Sequence, residues 1–297
     1  MRKFVVMLPL LAILVGCNNQ TENLNHATSP SYRPQVVGPA NGTLLIIGGA
    51  AGNQMYDKFM ELAGGADAPV VVIPTSFSSD TLDAEFLEAF KKSFVDKGFR
   101  NVTVLHTRDR NEANSLKFVE PITKANGVWF WGGRQWRHAD SYLNTKTHDA
   151  FNDLLERGGV IAGSSAGATI QGSYLARGDT QDNTTMMGDH EEGLGFLSNV
   201  AIDQHLLARN RQFDMFEILD KKPTLLGLGL DENTGIVVRG SEFEVVGESY
   251  VAIYDGTRWS EERDTVYQLP AGSREFYFLK AGDRYDFKNL KVVDKDK

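Results

Sequence analysis

The fold of this chain is decided by residues 158–169, which read Gly-Gly-Val-Ile-Ala-Gly-Ser-Ser-Ala-Gly-Ala-Thr. An apolar run meets a glycine-flanked turn and then a helix-like pattern, so the segment predicts a strand, a sharp turn and a helix. The Gly-x-Ser-x-Gly elbow places Ser165 at the turn, and small neighbours let strand and helix approach closely. Backbone N–H groups at the helix start favour a developing oxyanion. Ser165 is the candidate nucleophile; the alternative is a glycine-rich turn with an N-capping serine.

The composition is that of a soluble globular protein and argues against one class of partner. The 297 residues are 41% hydrophobic and 24% charged, which is sufficient for a full-sized core. The net charge of −8 argues against nucleic-acid binding as the main function, since phosphate binding depends on Lys and Arg. The length allows one large domain or two ordinary ones, and we see no repeat or linker that forces a division.

The N-terminus has the features of an export signal. Arg2 and Lys3 precede an apolar stretch over residues 4–15, which is too short for a permanent transmembrane helix. The stretch ends in Leu-Val-Gly-Cys, and this resembles the lipobox of bacterial lipoproteins, in which cleavage before the cysteine leaves it lipidated. We expect lipidation of Cys17; the alternative is an ordinary signal peptide with an incidental cysteine.

This interpretation divides the chain into three parts. Residues 1–17 are the expected signal peptide, residues 18–38 a polar tether without periodicity, and residues 39–297 a single catalytic domain. We therefore expect an exported protein that is anchored to a membrane through its lipid. Because Cys17 is the only cysteine, the domain has no internal disulfide and must be held by its core.

Apolar strands and helical segments alternate before the elbow, which predicts a parallel sheet of the βαβ type. The loops at 48–52, 75–79, 132–137 and 163–167 follow the carboxyl ends of strands and should share one crevice. The predicted strands are Asn41–Gly49, Ala68–Pro74, Val102–Leu105, Gly127–Trp131 and Val160–Ala162. The predicted helices are Met55–Ala63, Leu82–Lys97, Asn111–Val119 with a stop at Pro121, Ala139–Leu143 and His148–Arg157.

After the elbow the pattern changes. A helix is predicted over Leu206–Leu219 and an apolar strand over Thr224–Leu230. The remainder alternates in short runs, which predicts antiparallel strands that extend the sheet or form a smaller one beside it. These are Ile236–Val238, Phe243–Val246, Tyr250–Tyr254, Glu275–Leu279 and Leu290–Val293.

A nucleophilic serine requires a base and an orienting carboxylate. Of six histidines, His205 stands out because it follows an apolar stretch whose end would lie at the crevice. Glu232 follows another strand and is the preferred orienter, with Asp203 and Asp231 as competitors. Asp203 precedes His205 by two positions and would face the substrate beside it.

Several motifs together resemble the cyanophycinase family of serine peptidases, which are relatives of aspartyl dipeptidase. The resemblance implies a class I glutamine amidotransferase-like fold, an α/β three-layer sandwich with a mostly parallel central sheet, followed here by C-terminal antiparallel strands. It covers about residues 40–295. The motifs are Gly163–Ala168, Asp203-Gln204-His205, Arg209 with Arg211, Gly229–Glu232, Gly132-Gly133 with Gln135, Tyr250–Asp255, and Leu279–Tyr285.

The resemblance also implies roles. Ser165, His205 and Glu232 would be the catalytic triad, with the N–H groups of Gly133 and Ala166 in the oxyanion hole. The family cleaves cyanophycin, an aspartate backbone with arginine on each β-carboxyl, to β-Asp-Arg dipeptides. No metal or cofactor is required, and a homodimer is favoured. The substrate pocket would be lined by Gln135, Asp203, Gln204, Arg209 and Arg211.

Two departures bear on the substrate. The family usually has aspartate where this chain has Arg134, and a further arginine where it has Asp214. Loss of that arginine would weaken binding of a polyaspartate backbone. An aspartyl dipeptidase acting on small peptides and a non-catalytic peptide-binding lipoprotein are the alternatives. The acidic run 189–192 could bind a cation, but it lacks a second ligand cluster, so a solvated loop is expected.

Overall fold

The computed structural model describes residues 34–79, 82–255 and 276–293. The predicted signal peptide with Cys17, the tether up to residue 33 and the first residue of the strand predicted from Glu275 lie outside these ranges. Residues 34–38, assigned above to the tether, pack on the domain: Val36 is buried, and Val37 forms a β-bridge with Ser198. No helix within the described ranges is long and apolar enough to cross a membrane.

The predicted βαβ series forms the parallel half of the first sheet. Its strands are β1 Thr43–Ile47, β2 Val70–Ile73, β3 Val102–Val104, β4 Gly127–Phe130 and β5 Val160–Ser164. They lie in the order β1, β5, β4, β2, β3, and every neighbouring pair is parallel. Strands β1, β2 and β4 are buried along their whole length, which explains their continuous apolar sequences.

Helices cover both faces of this parallel half. Alternate side chains of β1 point to opposite cores: Leu45 and Ile47 pack with Phe59 and Phe94 on one side, while Leu44 and Ile46 join the larger core on the other. The helices are α1 Asn53–Ala63, α2 Ala84–Val95, α3 Arg110–Ala113, α4 Leu116–Lys124, α5 Gln135–Tyr142, α6 Lys146–Glu156, α7 Ala166–Thr169 and α8 Met215–Lys221.

The later strands form both arrangements that the sequence allowed: some extend the first sheet, and others belong to a second sheet. Four of them extend the first sheet beyond β1 with antiparallel pairing: β9 Thr234–Arg239, β10 Glu242–Gly247, β13 Arg284–Asp286 and β14 Lys291–Val293. The others form a second sheet in the order β12, β11, β8, β7, β6, with the ranges β6 Gly172–Tyr174, β7 Leu197–Gln204, β8 Leu226–Leu230, β11 Tyr250–Tyr254 and β12 Tyr277–Lys280.

The second sheet is also mixed, since β6, β7 and β8 pair in parallel and β8, β11 and β12 antiparallel. One face contributes Ile202 and Leu228 to the large core that it shares with the first sheet. The other face packs with α8 through Leu219. The predicted fold class is confirmed: an α/β protein with a parallel sheet core and additional antiparallel strands.

Two predicted helices were wrong. Pro121 does not stop a helix but lies inside α4, because the buried face of Phe118, Val119 and Ile122 outweighs the lost backbone hydrogen bond. The segment after His205 is a series of turns, and only Met215–Lys221 is helical. Asn210, inside the predicted range, adopts a positive φ that a helix does not allow, and His205 does so just before that range.

Candidate active site

Ser165 lies at the turn between β5 and α7, with φ 58° and ψ −116°. Two glycines make this turn possible. A Cβ on Gly163 would lie 2.1 Å from the carbonyl oxygen of Gly167, and a Cβ on Gly167 would lie 2.1 Å from that of Phe130. A serine held in such a sparsely populated conformation is a feature of functional sites. The strand, turn and helix match the predicted elbow, and Ser165 stands at the carboxyl end of β5.

His205 directly follows β7 and approaches Ser165 from the second sheet. Its Nε2 lies 2.9 Å from Ser165 Oγ. Its backbone N–H donates to the carbonyl of Gly48 at 2.8 Å, which ties the end of β7 to the loop after β1. Gly49, with φ 141°, leaves room for the imidazole, since a Cβ there would lie 2.3 Å from His205 Cε1. The glycine-rich loop at 48–52 thus serves a close backbone approach.

Glu232 completes the chain of contacts. It lies just after β8, and its Oε1 is 2.6 Å from His205 Nδ1. An ionised carboxylate can only accept a hydrogen bond, so Nδ1 carries the proton and Nε2 is left to accept from the Ser165 hydroxyl. The structure therefore brings together Ser165, His205 and Glu232, the three residues predicted from the sequence. The imidazole of His205 is oriented to accept the proton of the Ser165 hydroxyl.

The surroundings of His205 favour its neutral form. Burial lowers the pKa of its imidazole, and the nearby guanidinium groups of Arg209 and Arg211 lower it further. The hydrogen bond and charge of Glu232 act in the opposite direction, but the net pKa lies below the usual value of 6.5. At neutral pH the imidazole is unprotonated, which is the state that can accept a proton.

The predicted oxyanion donors lie beside the serine. Gly132 lies against Ser165, and a Cβ added to Gly132 would be 3.3 Å from Ser165 Cβ. Gly133 adopts φ 145°, and a Cβ there would lie 2.1 Å from the carbonyl oxygen of Ser76. Among the described residues, the backbone N–H groups of Gly133 and Ala166 have no hydrogen-bond partner. Both are available to a substrate carbonyl.

Asp203 does not face the site in the way expected from the sequence. Its side chain is 1% exposed, and its carboxylate is held by Arg177 through Nε at 2.7 Å and Nη2 at 2.9 Å. Two of the other predicted pocket residues are also buried and bonded internally. Gln135 donates from Nε2 to the carbonyls of Ala176 and Arg177, and Gln204 accepts from Arg211.

The two predicted arginines differ in their placement. Arg209 is exposed on the turns after His205. Arg211 is buried and donates from Nη1 to the backbone carbonyl and Oε1 of Gln204, both at 3.0 Å. Its remaining donors, like the guanidinium of Arg209, have no hydrogen-bond partner in the described part of the chain.

Arg177 is the residue that the sequence reasoning missed. It follows β6, has a φ of 57° and is 1% exposed. Besides Asp203 it binds Asp214, whose Oδ2 lies 2.6 Å from Nη2. Burial opposes its charge, but these bonds more than compensate and raise its pKa. Its partners lie far along the chain, so no local pattern marks it.

The profile of peptidase family S51 matches residues 44–246, which span both sheets and all three residues of the Ser165–His205–Glu232 chain. The chain belongs to peptidase family S51. The cyanophycinase of Geminocystis herdmanii is 29% identical over 258 residues, which cover 83% of this chain and 94% of that protein. The cyanophycinase of a Nostoc strain is 27% identical over 260 residues, which cover 82% of this chain and 84% of that protein.

Solved structures share the S51 fold. A peptidase from an acI-B1 actinobacterium superposes with a TM-score of 0.62 at 23% identity, covering 86% of this chain and 99% of that one. A putative peptidase E protein from Listeria monocytogenes gives a TM-score of 0.50 at 20% identity, covering 70% of this chain and 99% of that one. At these identities the similarity concerns the fold.

The acidic run at 189–192 in this S51 peptidase forms an ion-pair cluster. His190 lies 2.9 Å from Asp189 and 2.8 Å from Asp140 on α5. Glu191 pairs with Lys222 instead. Within residues 34–79, 82–255 and 276–293, no group of three or more His, Cys, Asp or Glu side chains is arranged to hold a metal ion.

Proposed function

We propose that this S51 member is a serine peptidase with Ser165 as nucleophile, His205 as general base and Glu232 as the carboxylate that orients the imidazole. The observation that carries the proposal is the continuous chain of contacts, 2.9 Å from Ser165 Oγ to His205 Nε2 and 2.6 Å from His205 Nδ1 to Glu232 Oε1. The strained turn at Ser165 and two unpartnered backbone N–H groups beside it supply the other requirements of acyl transfer.

The reaction proceeds in two steps. Ser165 Oγ bonds to the scissile carbonyl carbon while its proton passes to His205 Nε2. The carbon–nitrogen bond then breaks, and the imidazolium returns the proton to the leaving amine. A water molecule that loses its proton to His205 attacks the resulting ester, and Ser165 regains its hydroxyl proton as the acid product leaves. The N–H groups of Gly133 and Ala166 stabilise the oxyanion in both steps.

The substrate class that we propose is a peptide cleaved at an aspartyl residue. The cyanophycinases at 27–29% identity support this class, and the donors of Arg209 and Arg211 suit the carboxylate of such a residue. More specifically, we propose that the enzyme cleaves cyanophycin and releases β-Asp-Arg dipeptides. This proposal must be tested directly, because Arg134 and Asp214 depart from the family pattern.

The test uses the full chain in detergent with cyanophycin and with α- and β-aspartyl dipeptides. We expect hydrolysis of at least one substrate and covalent labelling by a serine-hydrolase probe. Ser165→Ala should abolish both, with a loss of at least about 10³-fold in kcat. Ser164→Ala, one residue away, is the matched control and should retain both. Absence of hydrolysis and of labelling in the wild type would leave a peptide-binding protein instead.

We also propose that the protein is exported and lipidated at Cys17. The motif at residues 14–17 supports this proposal. In cells that express the full chain, a radiolabelled fatty acid should be incorporated into the wild type and not into Cys17→Ser. Equal labelling of the two forms would exclude lipidation at Cys17.

A further inference from the structure

Arg134 directly follows the loop that carries the proposed oxyanion donor. The backbone N–H of Gly133 is that donor, and consecutive Cα atoms are about 3.8 Å apart. The backbone N–H of Arg134 donates to the carbonyl of Ser76 at 2.7 Å, which fixes the backbone where its side chain begins. Gly132, on the other side of Gly133, lies against Ser165. The side chain of Arg134 therefore begins one residue from the atoms that would hold the substrate carbonyl.

The guanidinium of Arg134 extends from the first sheet towards the second. Its Nη2 donates to the backbone carbonyl of Asp179 at 2.6 Å. Asp179 lies beyond the carboxyl end of β6, and β6 is parallel to β7, whose carboxyl end carries His205. Ser165 and His205 meet where the carboxyl ends of the two sheets come together. Arg134 therefore lies at the edge that a substrate of Ser165 must approach, and its side chain is half-buried rather than enclosed.

Most of the donors of this guanidinium are unused. Among the described residues, the bond to Asp179 is its one hydrogen bond. Its Nε is buried and has no partner, which is unfavourable because a buried donor without an acceptor has lost its bonds to water. A guanidinium has five N–H donors, and two of them match the two oxygens of a carboxylate. Arg134 thus has both the donors and the exposure to bind one.

The protein itself supplies no carboxylate to Arg134 in the part of the chain that the structure describes. Asp179 instead uses Oδ1 to accept from the backbone N–H groups of Gln181 and Asp182. The carboxylate of Asp182 accepts from the backbone N–H and the hydroxyl of Thr184. These two bonds are the main cause of the lowered pKa of Asp182, to which the charge of Arg134 adds a smaller contribution. A cation without an ion-pair partner therefore stands beside the oxyanion loop.

The proposed substrate offers a carboxylate of the kind that Arg134 can bind. In a β-Asp-Arg unit the amino group of arginine is joined to the β-carboxyl of aspartate, so the carboxylate of the arginine stays free. It lies one amide bond from the aspartyl residue whose peptide bond is cleaved, which suits a side chain that begins beside the scissile carbonyl. A flexible aliphatic chain separates this carboxylate from the substrate guanidinium, so the guanidinium groups of substrate and enzyme need not approach each other.

From this arrangement we infer that Arg134 is a specificity-determining residue that binds the free carboxylate of the substrate arginine. The inference rests on the proposed function and deepens it, because it names the group of the β-Asp-Arg unit that the enzyme recognises. It also gives a role to a residue that departs from the family pattern. An arginine after the oxyanion loop supplies the positive charge that this chain lacks at Asp214.

The first experiment compares two short synthetic fragments of cyanophycin on the full-length wild type. In one fragment the arginine carboxylates are free, and in the other they are carboxamides of nearly the same size. We expect kcat/KM to be about tenfold or more higher for the free carboxylates, mainly through KM, because the amide loses a hydrogen bond between charged groups. Equal kcat/KM for the two fragments would overturn the inference.

The second experiment assigns this preference to Arg134. In Arg134→Gln the ratio of kcat/KM for carboxylate to carboxamide should fall about tenfold. Arg134→Lys keeps the charge without the paired donors, so its ratio should lie between those of the wild type and Arg134→Gln. An unchanged ratio in a folded Arg134→Gln would contradict the assigned role. An arginine that only ties two loops together would lower activity on both fragments alike.

The matched control for the charge is Arg100→Gln. Arg100 is exposed and pairs with Asp67, and it lies just before β3, at the opposite edge of the sheet from Ser165. The variant removes the same charge as Arg134→Gln, so its ratio should equal that of the wild type. A fall in both variants would show that the ratio follows the net charge of the protein and not a contact of Arg134.

Binding separates a failure of this inference from a failure of the proposed function. Ser165→Ala leaves the fragments uncleaved, and calorimetric titration should show the free-carboxylate fragment bound about tenfold more tightly than the carboxamide. In Ser165→Ala/Arg134→Gln this difference should be lost. That result supports the inference even if the wild type hydrolyses neither fragment. Equal binding in Ser165→Ala, or an undiminished difference in the double variant, would overturn it.

Chemical modification replaces the variant if Arg134→Gln does not fold. Phenylglyoxal reacts with accessible guanidinium groups, and mass spectrometry of the digested protein follows its addition to Arg134 in Ser165→Ala. We expect the free-carboxylate fragment to protect Arg134 and the carboxamide fragment to leave it reactive. Equal modification in the presence of either fragment, or an Arg134 that does not react at all, would count against a carboxylate-binding guanidinium.

Discussion

The protonation of His205 is set by its burial and by three charged neighbours. Arg209 and Arg211 lower the pKa of the imidazole, and Glu232 raises it. Because catalysis requires the neutral base, kcat/KM should fall as the pH drops through the pKa of folded His205, which lies below 6.5. Activity should therefore persist into mildly acidic conditions.

The exposed Arg209 offers a direct test of this charge balance. Arg209→Gln removes one positive charge, so the pKa of His205 should rise and the acid limb of kcat/KM should move to higher pH. The shift should amount to about a few tenths of a pH unit, because solvent screens an exposed charge. Arg209→Lys keeps the charge and should leave the limb in place. A limb that stays fixed in Arg209→Gln would show that another group controls it.

At the scale of single residues, the sequence was sufficient to predict the three reacting side chains but not the contacts of the side chains around them. Ser165 was identified by its glycine-flanked turn, and His205 and Glu232 by their positions after apolar strands. Asp203 was assigned to the substrate because its partner could not be anticipated. Arg177 lies 26 residues away on another segment, and only the folded structure shows that it holds this carboxylate.

At the scale of elements, the turn after β7 determines where the imidazole points. His205 has a φ of 53°, an unfavourable conformation that neighbouring contacts must hold. Asp231, one residue past β8, accepts from the backbone N–H groups of Leu207 and Ala208 at 3.0 and 2.9 Å. Its other oxygen accepts from Ser249 at 2.6 Å. Asp231 thus fixes the turn that follows the catalytic base.

Asp231 should therefore act as a positioning residue. Asp231→Ala leaves the two N–H groups unsatisfied and lets His205 relax, so kcat should fall about 10- to 100-fold with little change in KM. The cost in unfolding free energy should be about 1–3 kcal/mol. Asp231→Asn keeps an acceptor oxygen and should recover most of kcat. A loss of stability without any change in kcat at a temperature well below unfolding would contradict the role.

The sequence predicted regular elements better than irregular ones. Strands β1, β2, β4 and β5 were predicted because a buried parallel strand reads as a continuous apolar run. The helix predicted over residues 206–219 was wrong for most of its length because its apolar spacing is also compatible with turns. The positive φ of Asn210 could not be predicted from the local sequence. Strand β13 was missed because Arg284 and Asp286 are charged and leave Tyr285 as its one apolar residue, so no apolar run marks it.

At the scale of the whole molecule, two histidines outside the catalytic triad are removed from solvent, His138 fully and His106 in part. His138 on α5 is fully buried, and its Nε2 lies 3.2 Å from the carbonyl of Trp131. Burial lowers its pKa to about 3, with smaller contributions from His106 and Arg108, while the bond to Trp131 acts in the opposite direction. Burial likewise lowers the pKa of His106 to about 4.

These histidines should make the fold sensitive to acid. Below the usual pKa of 6.5 the unfolded chain takes up a proton on His138 and the folded chain does not, so stability falls as the pH decreases from 6.5 towards 3. The loss should be about 1.4 kcal/mol per pH unit from this residue. Urea unfolding of the full chain at several pH values between about 7 and 5 measures this slope.

His138→Gln separates the contribution of this residue from that of the whole chain. Glutamine can still donate to the carbonyl of Trp131 but does not titrate, so the variant should lose less stability between pH 7 and pH 5 than the wild type, by about 2 kcal/mol. The denaturant slope should be the same for both proteins, since they bury the same surface. Parallel pH profiles would mean that His138 is protonated in the folded protein. The bond to Trp131 would then outweigh the cost of burying the charge, which is the opposite of the balance that the structure supports.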